Sequence, residues 1–306
     1  MTYKPIQLTA EQIEDFHNQG FLILEEFLDE SFAISIADGI EPLFKGQFET
    51  GNYPDEWYGR PGLSIENANQ QISGMWRCDR TIAGLSLSAE IARLTATLAG
   101  WNGGRIATDS SWFKPPGGSE VSFHRNSTYA TCIDPSEIMT CWISLSPATV
   151  ETGTLEFVPA SHKWCCSDPV KILLHNPKDD YRQSLQAAAV EAGVERFDIV
   201  SAEIPSGGCI FLHWNLWHGS GQNMSPDQTR RSMSVQTFGS DAKFQPSNGS
   251  YSHFYSRYRS LGSTTIDESF FPILWTKDGY RSPFLAKYCQ DALEAPALVT
   301  ASVTKD

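Results

Sequence analysis

Within SFHRNSTY, Ser122 to Tyr129, a histidine and an asparagine stand two residues apart, His124 and Asn126. A His followed two positions later by an acid is half of a common non-haem iron site. In that site two imidazoles and one carboxylate hold one face of the metal, and the other face stays open for oxygen and a cosubstrate. Here the second position carries an amide. The spacing is that of a β-strand, which puts both side chains on one side of the pleat. The other imidazole of such a site comes from a distant strand, and GGCIFLHWNLWHGSGQN offers two, His213 and His218. Arg230 follows in RRSMSV. A guanidinium opening a strand there would take the distal carboxylate of a diacid through two parallel hydrogen bonds. Ser220 could add a hydroxyl to that carboxylate.

These residues need strands to carry them. GRIATDSSWFKP, EVSFHRN, IMTCWISLSP, GTLEFVPAS, SAEIPSGGCIFLHW and RRSMSVQTF are short, rich in β-branched and aromatic residues, and punctuated by turn formers. Strands in series point to a sandwich or barrel and not to a doubly wound sheet. The part before residue 100 is expected to be mostly helical. Thr9 and Gln12 form a capping-box pair before a helix that Gly20 stops. Phe32, Ile34, Ile36, Ile40 and Leu43 recur at helical spacing, and SAEIARLTATLAG predicts a helix ending at Gly100. Residues from about 47 to 80 read as loop. A single domain is expected over 1–306, with a β core at about 104–240. A lid-like insertion with a helical middle falls at about 165–200. A C-terminal extension, 241–306, ends in a helix within SPFLAKYCQDALEA.

The net charge of −13 argues against nucleic-acid and anionic-membrane partners, which need a basic face. No run of apolar residues reads as membrane-spanning, and the N-terminal stretch lacks the apolar centre of a signal peptide. The seven cysteines form no CxxC pair, so structural zinc is not expected and a cytoplasmic address is. The expected partner is a small molecule, bound by a monomer or homodimer.

The motifs in this order resemble the phytanoyl-CoA dioxygenase family of Fe(II)/2-oxoglutarate oxygenases. The resemblance begins at TAEQIEDFHNQGFLILEEFLD and continues through SFHRNSTY, CWISLSPATVETGTLEFVPASHK, IPSGGCIFLHWNLWHGSGQN and RRSMSV. It implies a double-stranded β-helix, the jelly roll of the cupin-like class, flanked by helices. It implies that His124 and His218 bind iron and that Arg230 pairs with the far carboxylate of 2-oxoglutarate. Ser220, Trp142 and Thr108 would line the same pocket. The implied reaction uses O2 to oxidise an unactivated C–H bond, by hydroxylation, desaturation or ring formation. Asn126 falls where the family has its iron-binding aspartate. It would act as an amide ligand, stand for a replaced aspartate, or mark a protein that binds a ligand without turning it over. Halogenating enzymes of the superfamily carry Gly or Ala there, and Asn fills the room that chloride would need. The aromatic content suits a medium-sized, fairly apolar substrate such as a natural-product intermediate. No basic cluster suited to the phosphates of coenzyme A is evident.

Overall fold

The helices α1 (Ala10–Gln19), α2 (Glu30–Phe44), α3 (Arg80–Ser86) and α4 (Ala89–Ala99) precede the β core, and α5 (Gln183–Glu191) interrupts it. The computed structural model describes residues 6–60, 62–65, 67–167, 177, 180–246, 254–283 and 285. The capping box on α1 forms as expected: the Thr9 hydroxyl accepts from the Gln12 N–H, and the Gln12 side chain accepts from the Thr9 N–H. Gly20 closes the helix with φ of 86°, a left-handed position that glycine adopts without strain. Ser88 caps α4, and Gly100 ends it. The face of α2 that packs inward carries Ala33, Ile36, Ala37, Ile40 and Leu43, whereas Ile34 is exposed. The stretch Arg80–Ala99 is apolar enough in composition to cross a bilayer. It folds instead as α3 and α4, broken at Leu87 and Ser88, and is mostly buried against the sheet.

The strands are β1 (Phe21–Leu24), β2 (Glu56–Tyr58), β3 (Gln70–Ser73), β4 (Gly103–Lys114), β5 (Val121–His124), β6 (Ile133–Asp134) and β7 (Met139–Ser144). After them come β8 (Leu155–Phe157), β9 (Val200–Ser201), β10 (Cys209–Leu212), β11 (His218–Ser220), β12 (Arg230–Gly239), β13 (Lys243–Phe244) and β14 (Ile273–Thr276). The larger sheet has the order β1-β10-β7-β12-β4-β3-β2, with β14 also on β4. The smaller has the order β5-β11-β8-β9. All pairs are antiparallel, β6 and β13 form a separate two-stranded sheet, and between β4 and β12 the chain passes back and forth between the two main sheets, which is the double-stranded β-helix.

Period-two alternation divides the larger sheet into two unlike faces. Its outer face carries Phe113, Cys141, Ile143, Met233 and Val235, which join residues of α1, α2, α3 and α4 in the main apolar cluster. Its inner face carries Ser110, Trp112, Thr140, Trp142, Ser234 and Gln236, all lining one cavity. Burial on the outer face, at about 1.5–3 kcal/mol for each large aliphatic side chain, holds the sheet. The inner face is thereby free to be polar.

Three sequence expectations change. The region about 47–80 is not plain loop: β2 and β3 extend the larger sheet, and Met75–Arg77 forms a 3-10 turn. These strands are too short and too polar to show a period of their own. The C-terminal extension is not merely appended, because β14 pairs with β4. The terminal helix expected there lies almost wholly outside the described residues. The insertion behaves as a buttress where it is described. Leu185 and Ala188 of α5 pack with Phe123, Val158 and Trp217 on the outside of the smaller sheet. Residues 168–176, 178 and 179 of that insertion lie outside the described residues.

One buried acid sits in the helix-packed face. Asp109 on β4 is fully buried, and its Oδ2 accepts from the Trp76 N–H at 2.9 Å and from the Ser86 hydroxyl at 2.7 Å. Burial pushes its carboxyl up to about 6, against the hydrogen bond from Ser86 and the charge of Arg77. A folded-state value above the ordinary 3.8 means that this group's contribution is fully present below about pH 4 and is lost as pH rises through about 6. The loss is on the order of 3 kcal/mol. Asp109→Asn keeps an acceptor for both donors and cannot ionise. The variant is expected to show a flatter dependence of unfolding free energy on pH between 4 and 7 in urea titrations. Parallel curves for the two proteins would sink this assignment.

Candidate functional site

His124 ends β5 and His218 opens β11, and the two are direct partners across the antiparallel pair. Their ring centroids lie 4.3 Å apart. Each ring is fixed in the same way. His124 Nδ1–H donates to the carbonyl of Ser122 at 2.8 Å, and His218 Nδ1–H donates to the carbonyl of Leu216 at 2.8 Å. Both Nε2 atoms are therefore left with a lone pair for a metal or a proton. Burial lowers the pKa of His124 well below its usual value; the neighbouring His218 adds to this and the Ser122 bond opposes it. Burial lowers His218 to about 4. Both imidazoles are neutral at pH 7, which is the ligand form. Gly219 lets the strands approach, since a Cβ there would meet Phe123 Cδ2 and the Val121 carbonyl, each at 2.8 Å.

Asn126 follows one residue beyond the strand. Arg125 keeps extended geometry, with φ −118° and ψ 141°, so the alternation carries over before Asn126 opens a 3-10 turn. His124, Asn126 and His218 all line the cavity. Asn126 is 6% exposed, and its Nδ2 donates to Thr140 Oγ1 at 2.8 Å. Among the described residues no three His, Cys, Asp or Glu side chains gather as a metal site. Asn126, the third of the expected trio, brings an amide and no carboxylate to that cavity.

The other end of the cavity is cationic. Arg230 opens β12 opposite Lys114, the last residue of β4. They are 2% and 1% exposed. Arg230 Nη1 donates to the Gly153 carbonyl at 2.9 Å, its guanidinium lies 5.7 Å from the Trp142 ring, and its buried Nε has no partner. Lys114 Nζ donates to Ser220 Oγ at 2.7 Å and to the Gly221 carbonyl. Neither cation forms an ion pair with a described carboxylate. Burial lowers Arg230 to about 10. Burial, followed by the nearby Arg230, holds the Lys114 ammonium well below its usual range. A buried guanidinium without a carboxylate partner among the described residues is unfavourable, and an anion placed against Arg230 would relieve this. Ser220 accepts from Lys114, which leaves the Ser220 proton available to the same anion.

Between the two ends, the cavity encloses about 900 Å³, solvent mouth included. Its floor is a row of small hydroxyls in register: Ser73 is paired with Ser110, Ser110 with Ser234, and Ser234 with Trp142. Ser73 and Ser110 share a hydrogen bond of 2.8 Å. Gln71, Gln236 and Glu56 add polar groups, while Trp112, Trp142, Tyr129, Tyr255, Leu155 and Leu212 supply apolar walls, so the lining is mixed, as a fairly apolar substrate with a few polar groups would need.

The structure brings together His124, Asn126, His218, Ser220, Trp142 and Arg230. Thr108 does not line the cavity; its hydroxyl donates to the Asp109 carbonyl, and Ser110 and Trp112 on the same strand face the space instead. His213 lies elsewhere, stacked on Trp214 at 3.8 Å and 4.7 Å from the His162 ring. Trp217 is buried in the apolar cluster with Phe123 and Val158. Lys114 was missed by sequence reasoning, although continuing the alternation of Ser110 and Trp112 along β4 leads directly to it.

Comparison with known proteins gives one picture. Residues 16–232 match the family model for Phytanoyl-CoA dioxygenase (PhyH). A phytanoyl-CoA dioxygenase of Arabidopsis thaliana is 24% identical over 277 residues, covering 76% of this chain and 90% of that protein. Among solved structures, the non-heme alpha ketoglutarate dependent carbocyclase SnoK from nogalamycin biosynthesis superposes with a TM-score of 0.66 at 20% identity, covering 87% of this chain and 96% of its own. The epimerase SnoN, in complex with Fe3+, alpha ketoglutarate and nogalamycin RO, gives 0.63 at 17% identity, with coverages of 87% and 98%. The structural likenesses establish the jelly-roll fold.

The joint at Gly20 bears on the imidazoles. A Cβ there would lie 2.5 Å from His162 Nδ1 and 2.9 Å from Leu216 Cδ1, at φ of +86°. Leu216 supplies the carbonyl that orients His218. Gly20→Ala is expected to cost about 2 kcal/mol of unfolding free energy and to weaken binding of a divalent metal at the imidazole pair. An unchanged denaturation midpoint would show that the joint yields freely.

Proposed function

Since this chain belongs to the phytanoyl-CoA dioxygenase family of Fe(II)/2-oxoglutarate oxygenases, we propose that it oxidises an unactivated C–H bond of a medium-sized small molecule held between its serine floor and its aromatic walls. The observation that carries the reading is the buried Arg230 guanidinium, with no carboxylate partner among the described residues, in one cavity with two neutral imidazoles, and with Lys114 behind it on Ser220. This arrangement suits a molecule with a carboxylate at one end and metal-chelating oxygens at the other, as 2-oxoglutarate has.

His124 and His218 would hold Fe(II) through Nε2, with Asn126 completing the face through its amide oxygen. When bound, Fe(II) and 2-oxoglutarate supply the oxidising chemistry: the cosubstrate loses CO2 to become succinate, and O2 provides the oxygen that oxidises the substrate. The protein's own part is position and exclusion of water. Arg230 offers its unpartnered Nε–H and remaining N–H groups to the far carboxylate. Ser220 donates its hydroxyl proton to the same group, held in that orientation by Lys114. Trp142 forms a flat wall beneath the guanidinium. Ser73, Ser110, Ser234 and Gln71 offer the substrate polar contacts on one side, and Trp112, Tyr129 and Tyr255 offer it apolar ones. Hydroxylation, desaturation and ring closure are all open to this geometry.

Anaerobic titration with Fe(II) and 2-oxoglutarate tests the reading through the weak visible charge-transfer band of the chelate. The wild-type chain and Asn126→Asp are both expected to develop it, with succinate release on supply of O2. Arg230→Met should weaken 2-oxoglutarate roughly 100-fold, and Lys114→Met roughly tenfold, because each removes a buried charge that meets the carboxylate or its neighbour. A band in the Asp variant alone would mean that the Asn126 chain binds ligands without turnover. No band in either protein would refute the iron assignment.

A further inference from the structure

The two ends of the Asn126 amide differ chemically, and only the oxygen has a lone pair for a metal ion. Its nitrogen is already engaged with Thr140 Oγ1 at 2.8 Å. The same oxygen of Thr140 receives Gln236 Nε2 at 3.2 Å, and Gln236 Oε1 receives the Tyr255 hydroxyl at 3.2 Å. Gln236 and Thr140 are direct partners in the β7–β12 ladder, so this contact is set by register. Asn126, Thr140, Gln236 and Tyr255 all line the cavity. Donors run in one direction, from Tyr255 to Gln236 and from Gln236 to Thr140. Thr140 thus accepts on both of its lone pairs, and the oxygen end of Asn126 is left for the space it shares with His124 and His218.

We propose that Thr140 is a positioning residue for the metal site, selecting the oxygen of Asn126 as the ligand atom, with Gln236 and Tyr255 holding Thr140 in its accepting orientation. The inference rests on the iron-oxygenase reading given above. A carboxylate would need no such selection. Its two oxygens are equivalent, so one could bind metal while the other accepted the Thr140 proton. The hydrogen-bond chain is therefore matched to an amide, and its effect should vanish when residue 126 is an acid.

Co(II) affinity, followed by visible absorption without O2, gives a readout independent of turnover. The proteins compared are the wild-type chain, Thr140→Val, Thr140→Ser, Asn126→Asp and the Asn126→Asp/Thr140→Val double variant, with thermal unfolding recorded for each. Thr140→Val is expected to weaken Co(II) at least tenfold in the Asn126 chain and less than threefold in the Asn126→Asp chain. Thr140→Ser, which keeps the hydroxyl, should retain wild-type affinity. Equal losses in both backgrounds, or no loss in the Asn126 chain, would overturn the positioning role while leaving the iron reading intact. Binding by the Asn126→Asp chain alone would also overturn it, since Asn126 would then not be a ligand. Failure of every protein to bind Co(II) would remove the iron reading and this inference together.

Discussion

The pairing of β5 with β11 is the constraint on which the rest of the molecule depends. It sets His124 opposite His218, and each ring is turned by a carbonyl two residues earlier in its own chain. A backbone carbonyl held by the fold is a rigid acceptor, so ring orientation is inherited from backbone geometry and needs no side-chain partner. The cost falls on the surroundings. Gly219 must be bare for the strands to approach, Phe123 must fill the space behind them, and α5 must cover that surface. The insertion between β8 and β9 thereby becomes part of the support for the imidazoles, although none of its described residues lines the cavity.

The charge distribution has a complementary logic. The imidazole end is kept neutral by burial, and at the opposite end the Arg230 guanidinium stays charged despite burial. Unpaired buried cations are unfavourable in any fold. They are tolerated here because the outer faces of the same strands bury Met233, Val235, Phe113 and Ile143 against the helices. The apolar face carries the stability that the polar face gives away.

Much of this was legible in the sequence, for specific reasons. His124, His218 and Arg230 stand at strand ends with turn formers beside them, so strand texture and residue type coincide. The caps at Thr9, Gly20 and Gly100 show equally clearly, because a cap is a local interaction. Lys114 escaped notice because a lysine beside Pro and Gly reads as a surface charge; only its place in the alternation of β4 reveals that it points inward. Thr108 failed for the opposite reason. It lies on the correct strand, but it stops short of the cavity. Tyr255 and Gln71 could not be assigned because segments distant in the chain bring them to the site. The serine row on the cavity floor was hidden because serines in a strand look like weak strand formers until the register places them side by side.

That row of serines has a consequence for how such a protein can change over generations. Ser73, Ser110 and Ser234 are neighbours across three strands, and each presents the least bulky hydroxyl available. The residues that hold those strands in place, such as Ile72 and Val235, point the other way. Exchanging one floor serine for threonine, alanine or valine redraws the cavity by a methyl group or a single donor, while the imidazoles and the cationic end stay as they were. Stability and selectivity are carried on opposite faces of the same strands. A scaffold divided in this way can acquire new substrates in small heritable steps without passing through an unfolded intermediate sequence.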